Sequence, residues 1–146
     1  MRILVILFSF FMMVSSCNSS TDSQEQIPLQ SEGQKWQLVR MTGSFVNSET
    51  VGDDMDWQEY YVLKPNGMFV KHRERDGSIT TATGSYELIT QENEKYFELT
   101  YKTGKGLIAS CHGVDGKEVL MYNGDMLFGT WNACDGPGLE YSLVKE

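Results

Sequence analysis

The chain has 146 residues, with 20 Asp plus Glu against 12 Lys plus Arg and a formal net charge of −8. That balance offers no clustered basic face, so a nucleic-acid partner is not expected. It also repels an anionic lipid surface, and its simplest meaning is solubility.

The chain opens with a short basic start, Met1-Arg2, followed by an apolar run over 3–14 (ILVILFSFFMMV). The run is too short for a membrane span of about 20 residues and fits the apolar core of a secretory signal. Val14-Ser15-Ser16-Cys17 closes it. An aliphatic residue, two small residues and a cysteine resemble the bacterial lipobox. The resemblance implies cleavage before Cys17, a diacylglycerol on its thiol and an acylated amine. Several chains on one residue exceed the two signals that stable anchoring needs, at about 0.8 kcal/mol per buried methylene. Residues 1–16 therefore read as a lipoprotein signal peptide, and their removal makes the net charge one unit more negative. Asn18, where an Asp often retains such proteins in the inner membrane, points to the outer membrane, on its periplasmic or its cell-surface face. Residues 17–34 are polar and rich in Ser and Gln, cannot offset their ordering entropy by burial, and read as a flexible tether.

Residues 35–146 suit one domain with one core, and strand signals dominate them. Lys35 to Met41 alternates, with Trp36 and Leu38 on one face. Trp57 to Lys64 follows; Pro65-Asn66-Gly67 turns the chain into Met68 to Glu74. Asp76-Gly77 is a hairpin signal leading into Ile79 to Ile89, where Gly84 marks a bend or bulge. The polar stretch 91–95 separates this from Tyr96 to Tyr101. Further strands are expected at Leu107 to Cys111, Glu118 to Tyr122, Met126 to Phe128 and Leu139 to Val144, with turns at Asp115-Gly116 and Asn123-Gly124. The stretch 45–56 holds at most one short turn, and no window keeps a helical period. Eight or nine short strands with tight links make an antiparallel meander, which closes as an up-and-down barrel. A β-sandwich is the alternative.

Four segments carry a resemblance: a tryptophan in the first strand (KWQLV), the hairpin 61–69 (YVLKPNGMF), the strand 84–88 (GSYEL) and the closing segment 134–144 (CDGPGLEYSLV). Together they are similar to the lipocalin-like domain lipoproteins of Bacteroidetes over most of Lys35 to Lys145. The resemblance implies a small barrel, often without an established ligand, and fold alone does not imply function.

Cys111 and Cys134 remain besides Cys17, and an even pair in an oxidising compartment reads as a disulfide. A metal site from Cys111, His112, Cys134 and Asp135 is the rival. It is weaker because no CxxC pair is present and neighbouring residues on a strand face opposite ways. His72 reads as a solvated strand-end residue. Asp53, Asp54 and Asp56 lack the glycine and distal Glu of a calcium loop. No nucleophile motif or phosphate cradle appears, so neither an enzyme nor a cofactor is expected. The aromatic set Trp36, Tyr61, Phe69, Tyr86, Phe97, Tyr101 and Tyr141, with Leu99, is the candidate lining of a barrel interior. It would either make an apolar cup with phenol handles or fill a barrel just wide enough for its own side chains. The expected function is binding of a small apolar or amphipathic molecule in or at the mouth of the barrel. The alternative is a protein-interaction module with a packed core, acting through loops such as Val46 to Trp57 or Asn132 to Gly138.

Overall fold

The computed structural model describes residues 33–111 and 115–145. The expected signal peptide, Cys17, nearly all of the expected tether and His112 lie outside the described residues.

Among the described residues nine strands form one antiparallel sheet: β1 (Gln34–Thr42), β2 (Glu49–Val51), β3 (Gln58–Leu63), β4 (Met68–Arg75), β5 (Ser78–Gln91), β6 (Glu94–Thr103), β7 (Lys117–Asn123), β8 (Met126–Gly129) and β9 (Gly138–Leu143). Their order is β2-β1-β3-β4-β5-β6-β7-β8-β9, and β1 also pairs with β9. The sheet therefore closes on itself as an eight-stranded up-and-down barrel, with β2 as an additional strand. Closure removes the exposed edges an open meander would leave, and this excludes the sandwich.

Turn chemistry sets the registers. Asp76 and Gly77 both take positive φ, 51° and 71°, as a two-residue hairpin turn of matching twist demands. Glu92 and Asn93 do the same at φ 51° and 71° between β5 and β6, without help from a glycine. The register shifts between Thr83 and Gly84, where the bend was expected. A Cβ on Gly84 would collide with the Thr100 carbonyl and the Phe69 ring, so only glycine fits.

The ninth strand is not the one read from sequence. Leu107 to Cys111 forms no strand; Lys105–Leu107 is a single 3-10 turn. Instead β2 pairs with β1 from Arg40↔Val51 to Thr42↔Glu49, within a stretch that was expected to hold a turn alone. The β-rich residues after Gly104 fold inward as a plug, because Leu107 and Ala109 are buried and a buried lysine needs the Leu107 carbonyl. Cys111 and Cys134 are disulfide-bonded, with Cα atoms 5.7 Å apart. The bond ties the plug to the β8–β9 connection at the same end of the barrel.

Inward positions recur every second residue, as a pleated strand requires. Trp36, Tyr61, Leu63, Ala82, Leu99, Leu120, Leu127 and Tyr141 have no exposed surface at all. Edge-to-face aromatic contacts run through the unplugged half: Trp36 to Tyr122, Tyr122 to Phe97, and Phe97 to Tyr86, with ring centroids 6.1, 5.4 and 5.6 Å apart. Tyr61–Tyr141 and Phe69–Tyr101 pair the same way at 5.0 and 4.9 Å. Such pairs add about 0.5–1.5 kcal/mol each beyond their burial.

Candidate functional site

The plugged half of the interior is polar. Glu59 on β3, Lys71 on β4 and Glu118 on β7 are at most 1 % exposed. They sit in phase with Tyr61, Phe69 and Leu120, so the alternation that builds the core also drives these charges inside. Lys71 Nζ donates to the Leu107 carbonyl at 2.7 Å and to Glu118 Oε1 at 3.2 Å, and pairs with Glu59 Oε1 at 3.1 Å. Tyr141 OH donates to Glu59 Oε1 at 2.6 Å, and Arg73 Nε donates to Glu59 Oε2. Tyr61 OH donates to Glu118 Oε1 at 2.8 Å, Tyr101 OH donates to Glu118 Oε2, and the Ala109 amide reaches Glu118 Oε1 at 3.3 Å. Two carboxylates, one ammonium and one guanidinium formally balance. The network spans the barrel from β3 to β7 and fastens the plug from below.

Burial and then the neighbouring carboxylates push the phenols of Tyr61 and Tyr141 well above their ordinary range. Tyr101 is raised by the same causes in the same order. Burial opposes the charge on Arg73, but the charge of Glu59 and its hydrogen bond outweigh it, and the guanidinium ends above its usual value.

The rim of this mouth differs from the network beneath it. Trp57, two residues before Glu59, lies against Arg73, whose Cζ is 4.5 Å from the indole ring centre, and near Arg75 at 5.6 Å. Trp57 is 7 % exposed; the side chain of Arg73 is 13 % exposed and that of Arg75 58 %, so the three step from the interior into solvent. Among the described residues Trp57 Nε1 and Arg73 Nη2 are buried donors with no acceptor. An unmatched buried donor costs about 1–3 kcal/mol, and native proteins keep few of them. Trp36 Nε1 is also unmatched among the described residues, but it lies in the aromatic half, against Tyr122.

Among the described residues, the four most exposed large apolar side chains, Val46 at 92 %, Phe45 at 81 %, Ile79 at 71 % and Val51 at 52 %, all belong to segments at this same end. These are the connection between β1 and β3 and the start of β5. Three shallow grooves have volumes of about 380–450 Å³. One is on the outer face of β3–β5 around Tyr60, His72 and Thr81 and reaches Arg73 and Ile79 at this end, one is beside the β5–β6 and β7–β8 turns, and one faces β8, β9 and the connection between them. In the first, His72 stacks on Tyr60 with ring centres 4.7 Å apart and pairs with Thr81, so it is a partnered residue of the outer face.

Of the residues expected to line the interior, Trp36, Tyr61, Phe69, Phe97, Leu99, Tyr101 and Tyr141 are buried inside and Tyr86 is partly buried against them. They are brought together, in mutual contact. Sequence reasoning missed Glu59, Lys71, Arg73 and Glu118, and passed over Trp57. Their signal was their phase: Trp57, Glu59, Lys71 and Glu118 each stand two residues from an inward apolar neighbour, and Arg73 stands two residues from Lys71. Asp53 and Asp54 sit in an exposed 3-10 turn. Among the described residues no three His, Cys, Asp or Glu side chains are placed to hold a metal, and no helix is long and apolar enough to cross a membrane. No family model, curated protein or solved structure matches the chain.

Proposed function

We propose that this is a cell-envelope lipoprotein of the lipocalin-like kind, anchored through acyl chains on Cys17, that binds a small amphipathic molecule at the plugged mouth of its barrel. A closed barrel is a fold compatible with a ligand cavity. Here the inward aromatic set packs on itself, which favours recognition at the rim over a deep cup. The observation that carries this reading is that the most exposed large apolar side chains among the described residues, Phe45, Val46, Val51 and Ile79, all stand on segments at the end of the barrel where buried polar groups also converge. Apolar contacts with a few placed polar groups are the makeup of a small-molecule site.

Native mass spectrometry of the protein isolated from its own cells tests this. The expected result is one small molecule per chain, lost on denaturation. A bare chain that instead carries a stoichiometric protein would replace this reading with the interaction module, which an exposed apolar rim over a filled core also suits.

A further inference from the structure

The mouth holds more chemistry than an apolar rim requires. Trp57 Nε1 and Arg73 Nη2 are two buried donors without acceptors among the described residues, and they belong to side chains in contact, with Arg73 Cζ 4.5 Å from the centre of the Trp57 ring. Every other charged contact of Arg73 is accounted for: its Nε is committed to Glu59. Glu59 in turn is occupied by Lys71 and Tyr141, so no carboxylate of the network is left to serve the second nitrogen. Arg75 adds a further cation one step nearer solvent, and its contact with Asp76 is a loose 3.9 Å. In a chain of net charge −8, this corner keeps two arginines and, among the described residues, two buried donors with no acceptor.

We propose that the mouth binds a carboxylate. One carboxylate oxygen accepts from Trp57 Nε1 and Arg73 Nη2, and the second faces Arg75. This deepens the reading of the mouth as the binding site and rests on it. A guanidinium offers a fork matched to carboxylate geometry. An indole N–H is donor only, so it discriminates against a ligand whose head presents donors. The apolar part of the ligand then lies towards Phe45 and Ile79, outside the filled interior. An amphipathic acid is therefore the class of ligand, and an alcohol of equal chain length is the discriminating control.

The experiment uses the full chain in detergent micelles, labelled with 15N at tryptophan and arginine side chains, and titrated with hexanoate and separately with 1-hexanol. Hexanoate is expected to shift the Trp57 indole N–H and the Arg73 Nε signal in a saturable way, while the Trp36 indole stays still. Hexanol should bind at least roughly tenfold more weakly, the factor a lost charge-assisted hydrogen bond of ordinary strength supplies. Trp57→Phe keeps a ring beneath Arg73 and removes the donor. It should weaken hexanoate by a similar factor, read at Arg73, with unchanged Trp36 and Trp131 signals showing that the fold is intact. Equal shifts with hexanol and hexanoate would overturn the carboxylate while leaving the mouth as a binding site. No shift with either compound, or unaltered hexanoate binding in Trp57→Phe, would overturn the inference outright.

Discussion

Replacing Lys71 by methionine tests the cross-barrel network. The ammonium has no exposed surface and makes contacts of 2.7 Å to the Leu107 carbonyl, 3.1 Å to Glu59 and 3.2 Å to Glu118. Methionine fills much of the same volume, so the loss is chiefly electrostatic. Two buried carboxylates then share a single cation, Arg73, which touches only Glu59, and Glu118 keeps only the phenols of Tyr61 and Tyr101 and the Ala109 amide. Breaking one partner of a buried pair costs about 3–5 kcal/mol, which in a domain of this size lowers Tm by on the order of 15 °C. The assay is urea unfolding at pH 7 followed by tryptophan fluorescence, with the disulfide intact. Glu118→Gln alone leaves the ammonium to share Glu59 with Arg73, whereas Lys71→Met/Glu118→Gln restores a balanced interior. The double variant should therefore be more stable than the sum of the single losses, by about 0.5–3 kcal/mol. A Lys71→Met loss below about 1 kcal/mol, or strict additivity, would show that the network carries no such energy.

Removing the disulfide with Cys111→Ser/Cys134→Ser should cost about 3 kcal/mol on the chain-entropy account for a separation of 23 residues. It should also speed hydrogen exchange at the Ala109 amide, and unchanged exchange would separate the bond from the plug. The raised phenols of Tyr61, Tyr101 and Tyr141 give a pH dependence with a fixed sign. Their stabilisation is complete below the unfolded tyrosine value of about 10 and is lost as pH rises above it. Absorbance at tyrosinate wavelengths should show these residues ionising together with unfolding, and independent early titration of all seven tyrosines would contradict their burial. Gly84→Ala should abolish folding or cost more than about 2 kcal/mol by thermal melt, because its Cβ would meet Phe69 Cε1 at 2.7 Å and the Thr100 carbonyl closer still. Cys17→Ser should move the protein out of the membrane fraction on cell fractionation; continued membrane association would refute the lipid anchor.

The strands were legible wherever a two-residue period met a turn of known chemistry, as from Tyr61 through Pro65-Asn66-Gly67 to Phe69, or across Asp76-Gly77. What escaped depends on partners distant in the chain. Closure of β1 on β9 joins Trp36 to Leu143, and no local pattern distinguishes that pairing from a sandwich. The plug read as a strand because Leu107, Ile108 and Ala109 look like one. Their burial comes from capping the mouth, and the backbone carbonyl of Leu107 is spent on Lys71 instead of a ladder partner. β2 is three residues long and its residues are half or fully exposed, so it left no hydrophobic signature. The charged interior was written in the phase of Glu59, Lys71 and Glu118, but a charge at an inward position reads as an outward residue unless its partners on other strands are known. Trp57 and Arg73 became a candidate site only once the fold showed which donors lacked an acceptor.

A crystal structure of the protein isolated from its own cells, at a resolution that reveals bound small molecules, tests the central claim most directly. The account predicts an oxygen of a non-protein molecule within hydrogen-bond distance of both Trp57 Nε1 and Arg73 Nη2, with its apolar part against Phe45 or Ile79. Both donors paired to main-chain carbonyls or to a single ordered water, beneath an unfilled rim, would contradict it.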